Sequence, residues 1–357
     1  MATGSKFDFS RWDAEHKKHI AKYLEEIDAL YHAVAIKLID IGSSIKPEED
    51  KVFSFSHDKK AGKEADAVLS KFKTDLASLV AAGIASEWNF ANKMNDSWVK
   101  QLFPKTRDGY LMQNLGALEA LQRRKMYGHT LSGRVWNYTR QFKREIELAL
   151  DVGIGSGKSA ADISRDVRKY LNEPERLFRR VRDKYGNLTL SKAARAYHPG
   201  QGVYRSSFKN AQRLTRTAVN MAYNESNYTR WQQFDFVVGI KVQVSKSHAA
   251  WLARDWYPKF KKGTAPLEIC DAMQGVYPKD FKFIGWHPNC RCIATPILAD
   301  VPIGRENEAT NRVTNTPKGF DEWVSQHSEK MLEAAKRGKL PYFVLENKNF
   351  FSMIKNM

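Results

Sequence analysis

The stretch "NAQRLTRTAVNMAYNESNYTRWQQFDFVVGIKVQVS", residues 210–245, changes its hydrophobic period partway along. In its first part apolar residues such as Leu214 and Val219 recur at helical spacings, which predicts a long helix over about 206–233. The apolar face of this helix is expected to meet a core, and basic residues on the other face are expected to point outward. These outward-facing residues are Arg213, Arg216 and Arg230.

The second part of the stretch, 236–245, alternates apolar and polar residues, as Ile240 and Lys241 show. This period of two predicts a half-buried strand. A further strand is predicted at "RCIATPI", 291–297, where Pro296 suits an edge position because proline cannot donate to a neighbouring strand. A long helix beside short strands predicts a small mixed domain with the helix packed on an antiparallel sheet.

The chain on either side of this domain is mainly helical. Amphipathic patterns recur from about residue 13 to 150, interrupted by a polar segment at 42–65 that is typical of a long loop. The predicted fold class is therefore α+β. The predicted domains are a helical N-terminal domain at 1–150, the mixed domain at 151–299, and a linker, helix and aromatic tail at 300–357.

The tail predicts one helix that begins near Pro317 and ends at Gly338. Three aromatic residues follow it, Phe343, Phe350 and Phe351, and they have to be buried somewhere. Their place is either the core of this chain or the surface of a partner subunit.

The composition favours a reducing compartment and a polyanionic partner. The chain has 357 residues, a formal net charge of +18 and three cysteines, too few for a disulfide framework. The N-terminus has no apolar segment of the kind that directs secretion, and the longest apolar run is about half of what a bilayer requires. We therefore expect synthesis in a host cytoplasm and no membrane span.

Half of the excess positive charge lies between residues 160 and 216, which contain 14 lysines and arginines and five acidic residues. Within it, an arm at about 172–205 is expected either to lie on double-stranded DNA without reading its sequence, or to form a solvated surface. The candidate nucleic-acid-binding residues are Arg176, Arg179, Arg180, Arg182, Lys184, Arg205, Arg213 and Arg216.

The stretch "VGIGSGKS", 152–159, resembles a phosphate-binding loop but lacks its first glycine, since Val152 stands there. An amphipathic helix precedes it, whereas a phosphate-binding loop follows a buried strand. The alternative is a glycine helix stop followed by Ser159 as the N-cap of the next helix.

The candidate metal ligands are Cys270, His287, Cys290 and Cys292, in a Cys-x16-His-x2-Cys-x-Cys pattern. Three thiolates and an imidazole suit tetrahedral zinc, and His248 is a further candidate ligand. Two alternatives remain open at this level. The cysteines can instead be small buried apolar residues on a metal-free turn, or Cys290 and His287 can form a catalytic pair.

The order of these motifs resembles a known family. The helix "RLTRTAVNMAYNESNYTRW", a strand, "CDAMQGVYP" and "HPNCRC" are similar to the phage Mu F-like minor head proteins, also called head morphogenesis proteins. Relatives often carry two cysteines where this chain has only Cys270, so a metal would have to recruit His287, His248 or a carboxylate. Relatives also often carry Thr-Glu where this chain has Thr217 and an alanine.

The resemblance implies a minor capsid protein of a tailed phage or prophage. Such a protein associates with the portal protein, other head proteins and packaged double-stranded DNA, and no enzymatic activity is generally established for the family. Its expected location is the virion, at the capsid interior or portal vertex, after assembly in the host cytoplasm. The alternative is a virion-delivered enzyme acting on nucleic acid or nucleotide, a nuclease or transferase that uses the His/Cys cluster.

Overall fold

The computed structural model describes residues 7–46, 51–103, 105, 110–126, 128–173, 181–182, 184–186, 188–189, 204–246, 248–302 and 305–354. Helices dominate these residues: α1 (Phe9–Ser43), α2 (Lys59–Leu102), α3 (Leu115–Arg123), α4 (Leu131–Ile154), α5 (Ala160–Asn172), α6 (Ser207–Gln233), α7 (His248–Trp251), α8 (Ile269–Ala272), α9 (Lys318–Lys336) and α10 (Tyr342–Leu345). The strands are β1 (Val181–Arg182), β2 (Leu188–Thr189), β3 (Val237–Gln243), β4 (Gly275–Pro278) and β5 (Ile293–Leu298). The predicted α+β class is confirmed. No helix in the described ranges has an apolar stretch that would span a bilayer.

The chain forms two compact units. Unit 1 comprises residues 1–20, 84–128 and 216–357, and unit 2 comprises residues 21–83 and 129–215. Both units are assembled from separated segments, whereas the sequence boundaries at 150 and 299 divide the chain consecutively. The helices α1, α2 and α6 have residues in both units.

An aromatic cluster forms the core of unit 2. The ring of Tyr31 lies within 4.7–5.4 Å of the rings of Phe72, Phe142 and Phe208, measured between centroids, and all four side chains are buried. These residues come from α1, α2, α4 and α6. Beside them, the buried carboxylate of Glu145 accepts hydrogen bonds from the backbone N–H and the hydroxyl of Ser207. A carboxylate at this position stabilises α6, because the N-terminus of a helix carries partial positive charge.

The glycine-rich stretch 152–159 ends α4 and begins α5. This is the predicted helix stop followed by a helix cap, and it is not a phosphate-binding loop between a strand and a helix. Helix α4 continues through Val152 to Ile154, and Gly157 has a φ of +68°. Ser159 then caps α5, because its side chain accepts a hydrogen bond from the backbone N–H of Asp162. The side chain of Lys158 forms an ion pair with Asp166.

Replacement of this cap should have a small and measurable cost. We expect Ser159→Ala to lower the free energy of unfolding by about 1 kcal/mol, because one backbone N–H of the first turn of α5 loses its acceptor. Denaturant unfolding monitored by circular dichroism measures the change. Ser159→Asn is the matched control and should unfold like the wild type, since asparagine is an equally good cap. An equal loss in both variants would show that the hydroxyl stabilises the protein by another route, such as its hydrogen bond to the Asp162 carboxylate.

The sheet of unit 1 has the strand order β4-β3-β5, and both pairings are antiparallel. The predicted strands at 236–245 and 291–297 correspond to β3 and β5, and Pro296 lies on the edge strand β5, as predicted. The alternation ends with Gln243, so Ser245, expected to face outward with the polar residues, is instead buried. The four-residue strand β4 completes the sheet.

The long helix packs on this sheet. Met221, Trp231 and Phe234 of α6 share one buried core with Ile240 and Val242 of β3. Lys279, which follows β4, donates its Nζ to the backbone oxygen of Phe234 at 2.7 Å. The predicted arrangement of a long helix on a short antiparallel sheet is therefore confirmed.

The C-terminal tail belongs to the same core. Helix α9 matches the predicted tail helix, and Gly338 after it has a φ of +62°. Phe343 and Phe351 are buried and Phe350 is partly buried in the core of unit 1. Of the two places expected for these rings, the core of this chain is the one observed.

Arg230 was expected to point outward, and this expectation is wrong. Its side chain is fully buried, with Nη1 3.1 Å from the Asn92 side-chain oxygen and Nη2 2.7 Å from Oδ1 of Asp96. Nη2 also donates to the backbone oxygen of Tyr110. The guanidinium is stable there because acceptors from α2 and the following loop surround it.

Candidate metal centre

The "HPNCRC" loop lies between β4 and β5, and two left-handed residues shape it: Gly285 has a φ of +101° and Asn289 a φ of +68°. The backbone N–H of Cys290 closes a tight turn on the oxygen of His287 at 3.0 Å. The backbone N–H of Asn289 donates to the hydroxyl oxygen of Thr217 in α6 at 3.2 Å. The loop is thus fastened to the long helix α6 at Thr217.

The three cysteines meet at one place. Cys270 lies in α8 and is brought next to Cys290, with 3.8 Å between the two sulfur atoms. The three sulfur atoms all lie within 4.8 Å of one another, and the side chains of Cys270, Cys290 and Cys292 are only 2%, 4% and 5% exposed. No disulfide joins them.

The fourth predicted ligand, His287, contacts this group through one nitrogen. Its Nε2 lies 3.0 Å from the sulfur of Cys270, and its Nδ1 lies 2.8 Å from the backbone oxygen of Pro288. A carbonyl oxygen only accepts, so Nδ1 must carry a hydrogen and donate it. The ring therefore turns its Nε2 toward the thiols, which is how metal-bound histidines are usually oriented.

The charges of the group are coupled. Burial acts to lower the pKa of His287, but the hydrogen bond with Glu268 and the charge of Cys290 outweigh burial and raise the pKa to about 9. Burial acts to raise the pKa of Cys290, yet hydrogen bonds from Cys270 and Cys292 hold it well below its usual range. The hydrogen bond with Cys290 raises the pKa of the Cys270 thiol. The charges of Cys290 and His287 thus act on one another, since each shifts the pKa of the other toward its charged form.

Sequence reasoning missed Glu268, which lies against the same group. Its Oε1 is 3.3 Å from Nε2 of His287, and its Oε2 accepts the backbone N–H of Cys270 at 2.7 Å, which caps α8. Its position two residues before Cys270 was the available signal, since a side chain at this spacing can cap the helix that carries the cysteine. His248 pairs with Asp271 at 3.1 Å, and these two with Glu268 form a second group of close ligand atoms.

This arrangement can hold a metal ion. The group Cys270, Cys290 and Cys292 supplies three sulfur ligands, and a second group, Glu268, Cys270 and His287, shares Cys270 with it and supplies a nitrogen and a carboxylate. A metal ion bound at Nε2 of His287 would displace the proton that this nitrogen carries in the metal-free state. The near-complete burial of the thiols suits a structural centre better than a nucleophile that has to reach a substrate.

The structure describes only some of the predicted nucleic-acid-binding residues. Arg176, Arg179 and Arg180, like most of the arm at 172–205, lie outside the described residues. Arg182 lies in β1, and the exposed Lys184 in the following turn places its Nζ 4.9 Å from the centre of the Tyr185 ring.

Three further candidates, Arg205, Arg213 and Arg216, lie in or just before α6. Each is half-buried and interacts with other residues of the chain. Their part in DNA binding stays a prediction. Glu225, also in α6, is buried in ion pairs with Arg124 and Lys282.

No protein family, no curated protein and no solved structure matches the chain. The family resemblance of the motifs therefore stays a prediction.

Proposed function

We propose that this protein is a minor head protein of a tailed phage or prophage, and that Cys270, His287, Cys290 and Cys292 hold one structural zinc ion in it. One observation carries the proposal: the three motifs of the resemblance meet in a single unit. The "CDAMQG" segment supplies Cys270, the "HPNCRC" loop supplies the other ligands, and Thr217 of the long helix fastens that loop.

Zinc is supported by the ligand chemistry. A Zn–S distance of about 2.3 Å places two thiolates of a tetrahedral site roughly 3.8 Å apart. The sulfur atoms of Cys270 and Cys290 are 3.8 Å apart. The hydrogen bond from Nδ1 of His287 to Pro288 orients the ring as a zinc ligand requires. Glu268 then lies beside the centre, where it accepts from the backbone and holds α8 in place.

The proposed role of the centre is structural. A zinc ion with four protein ligands has no open position for water or substrate. It would join α8 to the loop before β5 and so fix the sheet against α6. The charge of +18 supports sequence-independent contact of the protein with packaged double-stranded DNA.

The assembly role is tested by co-expression with the cognate portal protein and by deletion from the phage. We expect the chain to co-purify with the portal and heads made without it to be defective. Cys292→Ser should weaken this association, because the loop loses its anchor, whereas Lys318→Ala on the exposed face of α9 should not. Failure to co-purify, together with normal heads in the absence of the chain, would remove the proposal.

The alternative, an enzyme acting on nucleic acid or nucleotide, gives a different pattern. It requires that Cys290→Ala and His287→Ala abolish a measurable cleavage or modification while circular dichroism shows an intact fold. The proposed structural centre instead requires loss of stability in both variants, with no activity to lose.

A further inference from the structure

One exposed segment combines aromatic rings with lysines and has no part in the function proposed above. The stretch "KSHAAWLARDWYPKFKK", 246–262, carries five lysines and arginines against one acidic residue. We call residues 248–262 the aromatic–lysine segment. It lies within unit 1, between the end of β3 and the Cys270 region.

The rings of this segment follow one another closely. His248 and Trp251 are stacked with 5.8 Å between centroids, and Trp251 and Trp256 are stacked at 6.1 Å. Phe260 continues the row at 5.2 Å from Trp256. The indole N–H of Trp256 donates to the backbone oxygen of Pro266 at 3.2 Å. The row is therefore held in place before any ligand arrives.

The segment is partly open to solvent. Tyr257 is 53% exposed, and Trp251, Trp256 and Phe260 are half-buried. Burial of an aromatic ring is normally favourable, so the exposed Tyr257 beside a row of half-buried rings indicates a surface that meets a partner.

Three exposed lysines accompany the rings. Lys259 lies with its Nζ 5.6 Å from the centre of the Trp256 ring, and Lys261 and Lys262 follow on the same short stretch. Among the carboxylate side chains whose positions the structure describes, none pairs with any of the three. Their charge is available to a polyanion.

We infer that the aromatic–lysine segment binds single-stranded nucleic acid, with unpaired bases stacked on Tyr257 and Phe260 and with phosphates against Lys259, Lys261 and Lys262. Rings that stack bases beside lysines that meet the backbone are the combination by which proteins hold single strands without reading sequence. A duplex keeps its base faces covered, so the rings give it nothing to stack on. The inference is independent of the head-protein proposal, because packaged duplex DNA would be held by charge alone.

Two features of the segment favour nucleic acid over a membrane or an acidic peptide. The one large aliphatic residue inside it, Leu252, is buried, so the segment has no aliphatic surface to insert into lipid. His248, Trp251 and Trp256 stack on one another, and flat rings in this arrangement suit planar bases, which an acidic peptide does not require. Residues 252–256 also form a π-helix, a rare conformation that occurs often at functional sites.

The test uses the full chain and fluorescence anisotropy with labelled oligothymidylate of about 15 nucleotides, which covers the usual site size. A mixed-sequence duplex of the same length and oligouridylate are the comparison ligands. We expect tighter binding to the single strands than to the duplex, and a difference between the two single strands would show whether DNA or RNA is the source. Tyr257→Ala should weaken single-strand binding by about 5- to 150-fold, whereas Tyr257→Phe should bind like the wild type.

The lysines are tested through the salt dependence. Replacement of Lys259, Lys261 and Lys262 by alanine should reduce the slope of log affinity against log salt by about 2, since each phosphate contact on a single strand contributes roughly 0.7. The control with the same charge change replaces Lys330, Lys336 and Lys339, which are exposed on and after α9. Trp136→Ala is the aromatic control, since Trp136 is 47% exposed in α4.

Four results would overturn the inference. The first is a preference for the duplex, and the second is a Tyr257→Ala variant that binds the single strand like the wild type. The third is an equal loss of affinity in the control variants, which would indicate contact by overall charge. Binding to anionic phosphatidylserine vesicles that requires Tyr257, without single-strand binding, would assign the segment to a membrane surface and likewise refute it.

Discussion

The purified protein is expected to contain about one zinc ion per chain, and Cys290→Ser should lose it together with more than about 4 kcal/mol of unfolding free energy. The sulfur of Cys290 lies 3.8 Å from that of Cys270, in the loop that Gly285 and Asn289 shape. Without the ion and the Cys290 sulfur, the loop loses its link to α8, and the free energy of metal binding no longer contributes to folding. Elemental analysis and thermal unfolding measure the two effects.

A histidine pair provides the control for this prediction. His287→Ala should release the metal and destabilise the protein, whereas His327→Ala should do neither, because His327 stacks on Trp323 in α9 and is remote from the thiols in sequence and contacts. A chelator should lower the melting temperature of the wild type and of the His327 variant but leave the Cys290 variant unchanged. The opposite result would be wild-type protein that contains no stoichiometric zinc although zinc was supplied, and whose melting temperature the chelator does not change. That result would instead establish a metal-free turn.

The second large effect is expected at the buried ion pair of Arg230. We expect Asp96→Ala to cost about 3–5 kcal/mol, because it leaves the guanidinium of Arg230 buried without a compensating charge. Arg230 is 0% exposed and its Nη2 lies 2.7 Å from Oδ1 of Asp96. Chemical denaturation of the variant and the wild type gives the difference in unfolding free energy.

The same helix supplies a matched control. Asp75 of α2 pairs with Lys71, but Lys71 is 75% exposed and Asp75 is 37% exposed, so Asp75→Ala should cost under about 1 kcal/mol. Adding Arg230→Met to Asp96→Ala should recover part of the loss, because the buried charge is removed. Equal effects of Asp96→Ala and Asp75→Ala would show that the burial of Arg230 does not carry the expected energy.

Local patterns allowed much of this fold to be predicted. The helix at 206–233 was predicted almost to its ends, because apolar spacing and the change to a period of two are both read within a few turns. The cap at Ser159 was predictable for the same reason, since its partner is three residues away. The meeting of Cys270 with His287 was anticipated from ligand chemistry, although nothing local dictates a contact between residues 17 positions apart.

Features that depend on distant residues were not predictable. Arg230 was predicted to be a surface residue because its partner Asp96 is 134 positions away. The apolar pattern of one helix does not indicate a hydrogen-bond acceptor in another helix. The strand β4 has only four residues, too few for a period to be recognised. Glu268 was missed because a carboxylate two residues from a cysteine is common and becomes informative only when His287 lies beside it.

The place of the tail has a consequence for how the chain is made. The ring of Trp286, just before the "HPNCRC" loop, packs on the ring of Phe343 with 5.5 Å between centroids. The side chain of Asn347 accepts a hydrogen bond from the backbone N–H of Lys282 and donates one to its backbone oxygen. During translation these partners emerge from the ribosome some sixty residues after the loop does. The loop is therefore synthesised before the residues that pack against it. Until those residues are made, it lacks part of its packing and its thiols are accessible. The interval between the two is when a metal ion can enter most easily and when oxidants can do the most harm.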